Sequence, residues 1–206
     1  MTKRLIPRAN PVQNRARMQR EKILNVTSDL LKTVGLDDLT TILIAKKVGI
    51  SIGTLYHYFP NKHAILYALS ELWVEKIIAL FNVIDSENIE QIELKPFVNY
   101  LLDEISKVYN SNASLLPLVS VMQSTPEFEE IYTQYQTNSN TRLKAIIMRL
   151  PISLTEKDAS HVAVIYWQIC HSVMQAINLG IVDSDKALAD LKYILLSMLE
   201  HARVSF

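Results

Sequence analysis

The 23 residues TTILIAKKVGISIGTLYHYFPNK, from Thr40 to Lys62, constrain the fold of this chain more than any other stretch. They hold two helix starts and two helix stops. Thr40 or Thr41 can cap a short helix running to about Val48, because a side-chain oxygen there accepts a first-turn N–H that has no partner inside the helix. Gly49 ends that helix by taking up left-handed backbone without a steric penalty. Ser51 offers a second cap, and Ile52 to Phe59 form another short helix that Pro60 forbids from continuing. Ala45 is small where the backbones approach and Gly49 permits the turn, so the two helices cross closely. Ile44, Val48, Ile50 and Leu55 supply a small core beneath them. Ser51, Ile52, Gly53, Thr54, Tyr56, His57 and Tyr58 divide between that core and an outer face.

The flanking sequence reads as helix almost throughout, with four Gly, seven Pro and no strand-like alternation. Residues 14–34 set Ile23, Val26, Thr27, Leu30, Leu31 and Val34 on one stripe, with Gly35 as the stop. Asn61 caps a fourth helix whose Ile65, Leu69, Trp73, Ile77, Phe81 and Ile84 recur at helical spacing. Pro96 opens a fifth helix to Tyr109, Asn112 precedes a sixth to Gln123, and Thr125-Pro126 starts a seventh stopped by Pro151. Thr155 with Asp158 resembles a capping box, the eighth helix ends at Gly180, and Asp183 or Ser184 begins the last. The expected fold is all-α, with about nine helices in two domains, 1–62 and 63–206.

Zero net charge conceals an asymmetry. Residues 1–62 carry eleven Lys and Arg against four Asp and Glu, a net +7, which leaves −7 on the remainder. A polyanion-seeking end is therefore joined to an acidic body that repels nucleic acid. From Ala159 to Val182 there is no Asp, Glu, Lys or Arg, a run long enough for a membrane span. His161, Gln168, His171, Gln175 and Asn178 form a polar stripe within it that hydrocarbon would penalise, so burial within protein is expected. The single cysteine, Cys170, allows no internal disulfide or Cys-rich zinc site and reads as a buried inert thiol. The N-terminus lacks the apolar core of a secretory signal, and the expected location is the cytoplasm. No phosphate-binding glycine loop, metal-binding histidine pair or nucleophile with its base is present, so neither an enzyme nor a metal or cofactor is expected.

From roughly Arg15 to Leu69 the chain resembles the tetracycline-repressor (TetR) family of bacterial regulators. The likeness rests on Leu39-Thr40-Thr41, Ile44-Ala45, Gly49-Ile50-Ser51, Gly53-Thr54-Leu55-Tyr56 and Phe59-Pro60-Asn61-Lys62. It implies an N-terminal three-helix domain with a helix-turn-helix, and a C-terminal helical domain for dimerisation and ligand binding. It further implies a homodimer reading a palindromic DNA operator, probed by a small-molecule effector that releases it. Carried across, Thr41 and Lys62 should meet phosphate, and Ser51, Gly53, Tyr56 and His57 should face DNA. Ile52 and Thr54 lie on the same short helix; Ile52 cannot donate to a base, and either touches a thymine methyl or packs. Residues 1–22 hold seven basic side chains against Glu21, with Pro7 and Pro11 discouraging helix, and read either as a DNA-following arm or as a solvated tail.

The likeness fades after about Leu80. The charge-free eighth helix should be buried against more than its own domain, and a partner subunit pairing through residues 156–203 accounts for that. Candidate ligand contacts are Trp73, Phe97, Tyr100, Met122, Phe128, Tyr132, Trp167, His171 and Met174, joined by Tyr109 and Tyr135. Each has an ordinary core role as its alternative. Such a lining suits a hydrophobic or aromatic effector. The competing expectation is a body that serves dimerisation or protein interaction alone, with no small-molecule effector.

Overall fold

The computed structural model describes residues 14–204, which form nine α-helices and no strand, as the fold-class expectation required. The basic segment 1–12 lies outside the described residues. The helices are α1 Asn14–Val34, α2 Thr41–Val48, α3 Ile52–Tyr58, α4 Lys62–Ser86, α5 Leu94–Ser111, α6 Pro117–Ser124, α7 Glu129–Met148, α8 Glu156–Asn178 and α9 Ser184–Val204. Short 3₁₀ turns at Ala113–Leu115 and Pro126–Phe128 precede α6 and α7.

Most boundaries follow from the caps. Thr40 Oγ1 accepts from Leu43 N, Ser51 Oγ from Thr54 N, Asn61 Oδ1 from Ala64 N, Thr155 Oγ1 from Asp158 N and Asp183 Oδ1 from Lys186 N. Each satisfies one N–H that the helix start leaves over. Gly35, Gly49 and Gly180 all hold positive φ at helix ends. α5 differs from expectation: it begins at Leu94, two residues before Pro96, with Phe97 N donating to Glu93 O at 3.0 Å. A proline in the first turn is tolerated because its missing N–H would have had no acceptor inside the helix.

The chain divides into two compact units. The first holds the described residues up to Val74 together with Ser114–Thr133; the second holds Glu75–Ala113 and the residues from Gln134 onward. Sequence charge suggested a division after Lys62, whereas packing divides the chain within α4. His63 and Tyr67 of α4 bring their rings within 6.3 and 5.7 Å of Phe128, which ties this half of α4 to the 3₁₀ turn before α7.

In the first unit, α1 buries Ile23, Leu24, Leu30 and Leu31 and packs against α2, which packs in turn against α3. Ile44, Val48 and Leu55 are at most 1% exposed and close the small core beneath the two short helices, whereas Ile50, expected there too, is only half-buried. Truncating a side chain such as Leu55 to alanine there costs about 2–5 kcal/mol. The Arg20 guanidinium sits 5.5 Å from the ring centroid of Phe59, pinning α1 to the exit of α3.

In the second unit, α9 packs against both α8 and α5. Arg149 near the end of α7 donates to the carbonyl oxygens of Asp85 and Glu87 at 3.2 and 2.7 Å and to Glu90 Oε1 at 2.8 Å. These bonds place a cation on the free carbonyls at the C-terminal end of α4, where the helix dipole favours one. Arg142 joins the same corner through Asp85 and Asn82. Among the described residues, no helix is long and apolar enough to cross a membrane.

Candidate nucleic-acid interface and effector site

The outer face of α3 is open. Ser51, Ile52, Gly53, Thr54, Tyr56 and His57 are all exposed, while Leu55 points into the core and Tyr58 is half-buried against the edge of His57. Gly49, at φ 79°, takes the left-handed turn that lets α3 leave α2 at this angle. Its N–H and that of Ile50 both donate to Ala45 O at 3.0 Å, which closes the end of α2.

Thr41, at the first position of α2, brings its hydroxyl to 3.1 Å from the Tyr56 hydroxyl. The two line a surface groove with Leu39, Thr40, Pro60, Asn61, Lys62 and His63. Lys62 donates to Leu36 O at 3.1 Å, so one of its three ammonium protons is held by the protein and the head group is steadied beside the groove. Hydroxyls, a cation and the N-terminal end of α2 thus converge on one concave surface, a set of donors suited to a phosphate oxygen. Sequence reasoning named Thr41, Tyr56 and Lys62 but passed over Thr40, Asn61 and His63 as groove residues. Thr40 and Asn61 were read as caps, a role that does not reveal which surface a residue borders.

Gly53 has helical backbone, and a Cβ built on it would meet only Ser51 Oγ, at 3.8 Å. Nothing within the protein requires glycine there. Ile52, 39% exposed, does not pack as a core residue. Ile42, on the first turn of α2, is 72% exposed and was not singled out from sequence.

Residues 23–69 match the family model for bacterial regulatory proteins of the tetR family, and this span contains every element of the face just described. Over these residues the chain is similar to the tetR family of bacterial regulatory proteins. The tetracycline repressor protein of class D from Escherichia coli is 44% identical over 55 residues, 27% of this chain and 25% of the repressor. The matched part is thus about a quarter of that relative's length. The nucleoid occlusion factor SlmA from Vibrio atlanticus is 27% identical over 130 residues, 63% of this chain and 66% of that protein. A TetR transcription regulator from Haloarcula marismortui shares the fold, with a TM-score of 0.69 over 90% of this chain and 98% of that one at 21% identity.

The residues expected to contact an effector are divided between the units. Trp73, Met122, Phe128 and Tyr132 belong to the first; Phe97, Tyr100, Trp167, His171 and Met174 belong to the second. Trp73, Phe97, Met122, Phe128, Trp167 and Met174 are buried to 2% exposure or less, whereas Tyr100, Tyr132 and His171 are intermediate.

Trp167 and His171 fall into one aromatic cluster of the second unit. Phe81 of α4 and Tyr135 of α7 approach the Trp167 ring at 5.4 and 6.3 Å between centroids, and the Tyr109 hydroxyl lies 2.8 Å from His171 Nδ1. Burial lowers the His171 pKa to about 4, so the ring is neutral near pH 7. Burial likewise pushes the Cys170 thiol up to about 12, in keeping with an inert thiol. Phe81 and Tyr166 were not among the sequence candidates. Phe81 shares the α4 stripe with Trp73 and Ile77, but that spacing could not say which ring it would meet.

Proposed function

We propose that this chain is a cytoplasmic, DNA-binding transcriptional regulator that acts as a repressor, binding a palindromic operator as a homodimer and released by a small hydrophobic or aromatic effector. The observation that carries the DNA-binding part is the exposed outer face of α3 beside the groove of Thr41, Tyr56 and Lys62. On this reading the N-terminal turns of α3 enter the major groove, with Ser51, Ile52, Gly53, Thr54, Tyr56 and His57 toward the bases and sugars. Thr41 and Lys62 hold phosphate in the groove beside that face.

Dimerisation is supported by apolar side chains left open on the last two helices: Val164 and Ile165 on α8 at 41% and 37% exposure, and Tyr193 on α9 at 73%. A second copy packing on residues 156–203 would cover them in a symmetric four-helix bundle and set two recognition helices at half-site spacing. Effector release would work through α4, which contributes residues to both units. A change in how Phe81 packs against Trp167 would be felt along the same helix that starts at Lys62.

Footprinting the protein on DNA flanking its own gene tests the reading. A protected pseudo-palindrome, with affinity that falls steeply as salt rises, is the expected result. Absence of protection on any duplex at low salt overturns it. The similarity to SlmA, named as a nucleoid occlusion factor, favours one second reading, in which the body serves dimerisation or protein interaction without an effector. A thermal-shift screen with apolar and aromatic compounds separates the two, because a ligand that binds only the folded protein raises its stability by mass action.

A further inference from the structure

Resting on the DNA-binding reading above, we propose that Ile42 and Ile52 select thymine in the operator half-site, each packing its aliphatic end on the C5-methyl group that thymine presents in the major groove.

The two side chains flank one fixed point. Ile42 follows Thr41, whose hydroxyl lies 3.1 Å from that of Tyr56, and Ile52 stands four residues before Tyr56, one turn away on the same side of α3. Ile42 is 72% exposed and Ile52 39%, so neither is spent on the core that Ile44, Val48 and Leu55 close. Residues 1–62 carry a net charge of +7, and the groove of Thr41, Tyr56 and Lys62 lies beside both side chains. Charge and groove together bring a duplex, rather than another protein surface, over them.

The polar groups of the face leave this reading to the two isoleucines. From Thr41 to Ala45 and from Ser51 to Tyr58 there is no Arg, Lys, Asn, Gln, Asp or Glu. The paired hydrogen bonds that such side chains make to guanine and adenine, and the acceptor they offer to cytosine, are therefore absent from the first turn of α2 and from the whole of α3. The small hydroxyls are engaged with one another. Ser51 Oγ accepts from Thr54 N at 3.0 Å and shares a hydrogen bond with Thr54 Oγ1 at 2.8 Å, as Thr41 does with Tyr56. An aliphatic side chain neither donates nor accepts, and the thymine methyl is the group in the major groove that gains from its contact. A purine edge in the same place would lose water without gaining a partner.

Deoxyuridine tests this, because it pairs as thymidine does and lacks only the methyl. In anisotropy titrations of the full-length protein on the footprinted duplex, complete replacement of thymidine by deoxyuridine should weaken binding by at least about tenfold, at about fourfold for each contacted methyl. The slope of affinity against salt should stay the same, because no phosphate contact is altered. Replacing one thymidine at a time should find sensitive positions in each half-site, one silenced by Ile42→Ala and another by Ile52→Ala. Both substitutions put a strong helix former at an exposed helical position, and unchanged helical circular dichroism checks that the fold is kept. Equal affinity for the two duplexes overturns the proposal, as does a thymidine preference that survives the double variant; in either case the DNA-binding reading stands. Failure to protect any thymidine duplex in the footprint, by contrast, removes the DNA-binding reading and the proposal with it.

Discussion

The hydroxyls of Thr41 and Tyr56 lie 3.1 Å apart, so the first residue of α2 is tied across the helix-turn-helix to the outer face of α3. A hydrogen bond between two exposed side chains adds little to stability, but it fixes both oxygens relative to whatever enters the groove beside them. Thr41→Val and Tyr56→Phe should each weaken binding to the footprinted operator by about three- to tenfold, the loss of roughly one hydrogen bond. The double variant should lose less than the product of the two, because either change alone already frees the other hydroxyl. Fluorescence anisotropy titrations on all four proteins give the coupling; strict additivity would show that the pair does not act as a unit.

Gly53 sits in an exposed helix with open space where a side chain would go. Within the protein alone, Gly53→Ala should raise stability by about 0.5–1 kcal/mol, since alanine restricts the unfolded backbone and favours helix. Operator affinity should fall by about tenfold, equivalent to roughly 1.4 kcal/mol, if the backbone approaches DNA closely at this point. Urea unfolding and DNA titration of one variant measure both signs. A protein that is more stable and binds DNA as well as the original would remove Gly53 from the interface.

His171 makes the fold sensitive to acid. Its folded pKa is lowered to about 4 by burial, below the ordinary value of 6.5, so between these pH values the unfolded chain binds a proton that the folded one refuses. The contribution is fully present above about pH 6.5 and is lost as pH falls toward 4, with a slope of up to about 1.4 kcal/mol per pH unit. Urea midpoints followed from pH 7 to pH 4 should drop more steeply for the original protein than for His171→Gln. Equal pH profiles would mean that the ring is solvated or already charged.

Val164 and Ile165 on α8 and Tyr193 on α9 are large apolar side chains left exposed. Sedimentation at micromolar concentration should give a dimer, and Ile165→Glu should shift it toward monomer while helical circular dichroism is kept. The monomeric variant should also lose operator affinity by more than any single base contact accounts for, because one half-site alone is then read. A native protein that sediments as a monomer would rule this interface out.

The sequence alone determined the helix starts and stops that rest on a capping side chain or a glycine, but not the starts of α5 and α7. Ser51, Asn61 and Thr155 cap where their side chains predict, Thr40 and Asp183 are the members of the pairs Thr40/Thr41 and Asp183/Ser184 that cap, and Gly49 turns the chain where its missing Cβ allows. Those are local events, settled among residues three or four apart. The exposed face of α3 was legible for the same reason, since Leu55 alone in that short helix belongs to the core pattern. Only the tertiary structure decided that Lys62 donates to Leu36 O, 26 residues away, that Phe81 meets Trp167, and that the Tyr109 hydroxyl reaches His171. Helical periodicity says which side of a helix is apolar; it carries no record of which distant helix will cover that side. The charge state of His171 belongs to this second class, because it depends on how much water its neighbours from other helices exclude.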